Sequence, residues 1–351
     1  MIRMLFASAS ALVLSTGVAW AECAPETWQD CAGKPWVDGD KMETPLGSIW
    51  WPNPQWGEGD EAGSTNWYTQ PEVVLRALAE ADQGKTYKLA HPYSADMPLF
   101  GARKFVLRIP ATPTGGPLGG NQVVWNDEFL ATEVGQVGTQ FDGLGHIGVA
   151  IDPTDKAEMR FYNGFSIAEM GDPYGLKMLG TEKLNPIVAR GVLIDLAAAR
   201  GVESMNAGEC ASMDDVNAAL ERQGMADFQF AEGDAILLRY GWESHWGDPE
   251  TYNGGEPGIC LDVARWIAND VKAGVTGGDS WAATDPVPYP DEPGCIFCIH
   301  QYLQTRHGIV NQENLALQQL ADDDVYVFAY VYTPTPIAGA TGSMGSPLAI
   351  D

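Results

Sequence analysis

Between Gln136 and His146 the chain reads Gln136-Val137-Gly138-Thr139-Gln140-Phe141-Asp142-Gly143-Leu144-Gly145-His146, with polar side chains set among glycines. Extended backbone sends alternate side chains to one face, so Gln136, Gly138, Gln140 and Asp142 share a side. Two amide oxygens and a carboxylate aimed at one point suit a hard divalent cation. A turn through the glycines would bring His146 over the same spot. Asp and Gly are also ordinary turn formers, and a plain capped turn is the competing reading.

Other chemistries find less support. Gly143, Gly145 and Gly148 match the spacing of a dinucleotide-binding loop, but Asp152-Pro153 falls where the phosphate-binding helix should run. These glycines are read as backbone space around the site. Cys295 and Cys298 precede His300 in a segment punctuated by Pro290, Pro293 and Gly294, which reads as a loop braced by a disulfide rather than a redox motif or half a zinc site. Ser280 and Ser343 lack the Gly-x-Ser-x-Gly frame of a serine hydrolase. Trp125, Trp242 and Trp281, with Asp279, are candidates for the wall of a pocket around a flat substrate, although core packing accounts equally well for each tryptophan. Of the five histidines, His245 and His307 read as surface or supporting residues, and His91 before Pro92 has no assigned chemistry.

The segment Gly138 to His146 resembles the signature of the bacterial cyclase family, metal-dependent hydrolases that include kynurenine formamidase and isatin hydrolase. The usual form there is His-x-Gly-Thr-His-x-Asp-x-Pro-x-His. Tyr162-Asn163-Gly164, Gly191 to Asp195, Gly233-Asp234, Leu237 to Trp242, Tyr252 to Gly258 and Gly345 to Ile350 resemble the longer branch of that family. The likeness runs from about Asn66 to the C-terminus. It implies that Asp142, His300 and Glu313 are metal ligands, and that His146 handles protons at the scissile bond. It also implies an α/β, mixed-sheet swivelling β/β/α fold, commonly in a homodimer or homotetramer. Where the family has two histidines before the aspartate, this chain has Gln136 and Gln140. An amide oxygen is a harder and weaker ligand than imidazole, so a set that includes them favours manganese, magnesium or calcium over zinc, with manganese the first expectation.

The expected reaction is hydrolysis of a carbon–nitrogen bond in a linear or cyclic amide, or of a lactone. The alternative is a binding or scaffold protein that kept the fold and lost catalysis along with the two histidines.

The elements that must position these residues read as alternating strands and helices. Pro71 opens a helix that ends near Gly84; Val192 to Leu196 and Ala235 to Leu238 read as buried strands; Ser212, with Asp215 three residues on, caps a helix through Leu220. Leu261 to Val271 has helical period and Val325 to Val331 alternates as a strand. Gly115, Gly116, Gly119 and Gly120 read as a flexible connection.

Arg3 followed by an apolar stretch from Leu5 to Val18 and by Ala19-Trp20-Ala21 has the form of a cleavable signal peptide over residues 1–21, which places the mature protein in the periplasm or outside the cell. Residues 22–66, rich in Trp, Pro and Gly, read as an irregular arm draped over a single domain spanning 67–351. No second apolar run approaches the roughly 20 residues that span a bilayer. A net charge of −27, from 47 acidic and 20 basic residues in scattered positions, excludes nucleic acid and anionic membrane as natural partners and leaves a small-molecule substrate. In an oxidising compartment the six cysteines should pair. Cys23 with Cys31 and Cys295 with Cys298 are the close pairs, leaving Cys210 with Cys260, but about 15 pairings are open to six cysteines.

Overall fold

The structure, a computed structural model, describes residue 46, residues 49–288 and residues 296–351. The expected signal peptide, most of the arm, and Cys23, Cys31 and Cys295 lie outside the described residues.

The body is a nine-stranded mixed sheet. Its strands are β1 (Thr86–Lys88), β2 (Gln140–Asp142), β3 (Ile187–Asp195), β4 (Ala235–Arg239), β5 (Val275–Gly278), β6 (Val310–Glu313), β7 (Val327–Tyr332), β8 (Gly342–Met344) and β9 (Leu348–Ile350). They lie in the order β1-β9-β7-β3-β4-β5-β6-β2-β8. The run from β3 to β6 is parallel, and every other pairing is antiparallel. Parallel strands carry crossovers on their faces and so are buried on both sides, which is why β4 and β5 read as unbroken apolar or small-residue runs. Alternate residues serve different cores. Val192, Ile194, Ile236 and Leu238 join a cluster under the crossover helices Met213–Arg222 and Leu261–Arg265. Leu193, Leu237, Val275 and Val310 join a second cluster with Phe328 and Tyr330 on the opposite face.

Most of the expected elements are present with shifted ends. The expected strand at Val192 to Leu196 begins at Ile187 and stops at Asp195, whose side chain caps the helix that starts at Leu196. Ser212 and Asp215 form a reciprocal capping box. The first helix, Pro71–Leu78, ends well short of Gly84, because Gln83 and Lys85 donate their N–H groups to the Asp351 carbonyl and are drawn alongside the sheet. The glycines at 115 to 120 are a correction. They do not form a loose connection but help build a hairpin, Gly115–Leu118 against Val123–Trp125. A Cβ at Gly115 would lie 2.2 Å from the Trp125 ring, so the glycine gives that ring its place.

The described part of the arm packs on the body. Trp50 is buried and its indole N–H donates to Phe161 O at 3.0 Å. The Tyr162-Asn163-Gly164 turn receives it: the Asn53 N–H donates to Asn163 Oδ1 at 2.7 Å, and Gly164 lies flat beneath the Trp51 ring. Cys210 and Cys260 form a disulfide across 50 residues of chain, and Cys298 is also disulfide-bonded.

Candidate metal centre and pocket

Strands β2 and β6 pair antiparallel with Gln140 opposite Glu313 and Asp142 opposite Asn311. Directly opposed residues, and those two apart, point to the same face of a sheet. All four polar side chains therefore project to one side, while Phe141 and Gln312 face the other. This register brings Asp142 and Glu313 together from 171 residues apart in sequence.

His300 enters from the short helix Cys298–His300. Asp285 fixes its ring: one carboxylate oxygen accepts from Nδ1 at 2.6 Å and from the His300 N–H at 2.9 Å, and the other accepts from the Ile299 N–H at 2.8 Å. Nε2 is thereby turned toward the carboxylates, 2.9 Å from Glu313 Oε1 and 3.6 Å from Asp142 Oδ2. One ligand atom from each of Asp142, His300 and Glu313 lies within 4.8 Å of the others, and all three residues are buried.

Burial opposes the charge on Asp142, yet His146 and His300 beside it hold its carboxyl below the usual range. Burial, with the neighbouring Asp142, pushes Glu313 up. Burial also opposes a charged His300, but three carboxylates around the ring outweigh it and raise its pKa. A compact set of two carboxylates and one imidazole in a dry site is how a protein holds a divalent cation. Asp142 Oδ2 is buried without any hydrogen-bond partner, the condition of an oxygen reserved for an ion. The donor set fits.

His146 arrives as the sequence suggested. Its N–H closes a turn onto Gly143 O at 3.1 Å, and its Nε2 stands 3.6 Å from Asp142 Oδ2. Its side chain keeps 27% of its exposure against 1% for Asp142, so His146 forms the solvent-facing edge of the site.

The two glutamines are placed differently from the expected ligands. Gln140 directs its amide nitrogen at Glu313 Oε2. Gln136 donates from its nitrogen to Asp142 Oδ1 at 2.9 Å and to Gly135 O at 2.7 Å, while its oxygen accepts from Arg103 at 2.8 Å. Both present amide nitrogens, rather than oxygens, to the carboxylates of the set.

A cavity of about 200 Å³ opens over this centre, lined in part by Phe100, Arg103, His146, Trp281 and Phe297. Trp281 stacks on Phe100 with ring centroids 4.3 Å apart, and its buried indole N–H has no partner. The rest of the expected wall is corrected. Trp125 sits exposed on the Gly115–Trp125 hairpin and does not line the cavity. Trp242 is buried in the core against Tyr252, and Asp279 is spent inside the fold, accepting from the Tyr240 N–H at 2.8 Å.

Several site residues lie outside the motif that the sequence singled out. The need of a ligating histidine for a carboxylate partner is the signal that points to Asp285. Asn311 follows from strand alternation with Glu313. Nothing local marks Arg103 or Phe100. Asn314 holds the motif loop, donating to Gly138 O at 2.7 Å while accepting from the Tyr252 hydroxyl at 2.7 Å.

Comparison with known proteins agrees with this geometry. The Cyclase family model matches residues 87–285. A crystal structure described as a novel cyclase shares 25% identity over 85% of this chain and 96% of its own, with a TM-score of 0.71. Isatin hydrolase A from Ralstonia solanacearum aligns over 80% of this chain and 98% of its own at 18% identity and a TM-score of 0.55. Isatin hydrolase A from Labrenzia aggregata, bound to benzyl benzoate, aligns over 78% and 98% at 18% identity and a TM-score of 0.53. The search of curated proteins found no match. With the motif, the mixed sheet and a match over more than half its length in agreement, the chain belongs to the cyclase family.

Proposed function

We propose that the protein is a metal-dependent hydrolase of a linear or cyclic amide, or of a lactone, with Asp142, His300 and Glu313 holding a divalent cation. The observation that carries the reading is the buried Asp142 Oδ2, which accepts no hydrogen bond, clustered with ligand atoms of His300 and Glu313, both of which line a pocket that His146 also lines. Manganese is the preferred ion, because two carboxylates outnumber one imidazole and no thiolate takes part.

A cation bound there supplies Lewis acidity and activates water. The chain does the rest. Asp285 orients His300, and Asn311 donates to Glu313 Oε1 at 3.1 Å, so both ligands are aimed before anything binds. Phe100 and Trp281 offer flat apolar surface to a compact substrate, and the free indole N–H of Trp281 can donate to a carbonyl or ring heteroatom. His146, partly open to solvent, takes a proton from the attacking water and passes it to the leaving nitrogen or oxygen.

Export is part of the proposal, supported by the leader-like N-terminus and the Cys210–Cys260 disulfide. Among the described residues no helix is long and apolar enough to cross a membrane.

The test is metal content by mass spectrometry with turnover on a panel of formamides, lactams and lactones. Protein that holds no divalent metal, and that none restores to activity, defeats the enzyme reading and leaves a binding protein. His146→Ala should keep the metal while turnover falls by about 10²–10⁴.

A further inference from the structure

Arg103 has no part in the chemistry above, yet it lines the same cavity, and among the described residues that do so it is the only arginine or lysine. The chain on either side fixes its place. Gly101 turns with a φ of +66°, and Phe105–Arg108 then pairs with Phe129–Thr132, so Arg103 and Gln136 stand at the two roots of one antiparallel strand pair.

The guanidinium is held there without being neutralised. Nη1 donates to Phe100 O at 3.2 Å and Nη2 to Gln136 Oε1 at 2.8 Å, while Cζ lies 5.3 Å from the centre of the Phe100 ring. Both acceptors are uncharged. Glu133, which feels the charge of Arg103, is exposed and accepts the Lys104 N–H at 2.7 Å. Two of the five guanidinium N–H donors are used, which leaves three for a ligand.

Arg103 is also close to the metal centre. One amide separates the two, since the oxygen of Gln136 takes the guanidinium N–H and its nitrogen donates to Asp142 Oδ1 at 2.9 Å. At the floor, two carboxylates and a divalent cation would cancel, so the sign of the pocket is set at Arg103. A carboxylate arriving there meets a planar fork that matches it with two parallel hydrogen bonds.

We propose that Arg103 selects substrates that carry a carboxylate a few bonds from the scissile carbonyl, which narrows the class to small acidic amides or lactones with a flat core. The inference rests on the reading of this pocket as the place of reaction. The cavity, at about 200 Å³, is small beside the roughly 300–1,000 Å³ of ligand sites in general, and this keeps both groups on one compact molecule.

Matched pairs test it: formanilide with its three ring-carboxylated isomers, and phthalide with a carboxyphthalide. On the mature chain with Mn²⁺, kcat/KM is measured where turnover occurs and the dissociation constant where it does not. The carboxylated member of at least one pair should win by about 10- to 100-fold, the worth of hydrogen bonds between charged groups. In Arg103→Met that ratio should fall to near one, and Arg103→Lys, which keeps the charge without the fork, should restore part of it. The ratio is the readout because loss of the Gln136 contact lowers both members alike. Pairs that the wild type takes equally, or does not bind, overturn the inference, and so does a ratio that survives in Arg103→Met. Should Arg103→Met not fold, Arg103→Lys carries the test, and an undiminished ratio there overturns the inference. A preference that depends on Arg103 without any turnover keeps the inference and defeats the hydrolase reading; turnover without preference does the reverse.

Discussion

At the scale of single residues, orientation separates a ligand from a brace. Of the four groups around the Gln136 amide, three fix which end is which: a guanidinium at the oxygen, and a carbonyl and a carboxylate at the nitrogen, where His146 Nδ1 also lies at 3.4 Å. Turning the amide over would set like against like at all three contacts. Gln136 thus steadies Asp142 Oδ1 and leaves Oδ2 free for the ion. On this reading Gln136→Glu weakens Mn²⁺ binding about tenfold, the effect of losing a supporting contact. Tighter binding, followed by the resonance of free Mn²⁺, would mean that position 136 coordinates after all. Asp285→Asn should likewise cost about 10- to 100-fold in Mn²⁺ affinity with the fold intact. Asp142 and His146 were legible in the sequence because their chemistry sits within one short motif. His300 and Glu313 were visible only through family likeness, since their meeting depends on strand register. Arg103 was not legible at all, as it reaches Gln136 from 33 residues away without any local pattern.

At the scale of elements, the sequence was most readable where burial is two-sided. The apolar runs at Val192 to Ile194 and Ala235 to Leu238 announce β3 and β4, and the Ser212–Asp215 cap marks where its helix starts, although the helix runs two residues past Leu220. Ser212→Ala should cost about 1 kcal/mol in urea denaturation. The reading failed where glycine carries two meanings: around position 115 it signalled a loose connection, while in the fold it makes room for Trp125. The first helix was misjudged because its end is set by Asp351, a contact that local pattern cannot contain. The Cys210–Cys260 link spans 50 residues between a short parallel strand pair. Replacing both cysteines by alanine should lower stability by about 2–5 kcal/mol, read from the denaturation midpoint.

At the scale of the whole molecule, stability has a pH slope with a defined sign. Burial, and then the nearby Asp279, push Glu243 up to about 7, well above the usual carboxylate range. The folded chain therefore holds a proton there that the unfolded chain has released, and the associated stability is lost as pH rises through that window. Thermal melts should fall between about pH 4.5 and 7 on this account, and Glu243→Gln should make the slope shallower, the raised Asp279 and Glu313 carrying the rest. The melting temperature should rise with added Mn²⁺ and drop on chelation, since an ion held only by the folded chain stabilises it by about 2.7 kcal/mol at 100 times its dissociation constant.

The pairing of β2 with β6 carries a last consequence. Asp142 and Glu313 share a face only when that antiparallel register is correct, and a slip of one residue would send one of them through the sheet. This pairing joins distant parts of the chain, a kind of contact that forms late. Capture of an ion by this set would therefore report completed assembly: it follows closure of the sheet, and a chain misaligned at this pairing would hold none.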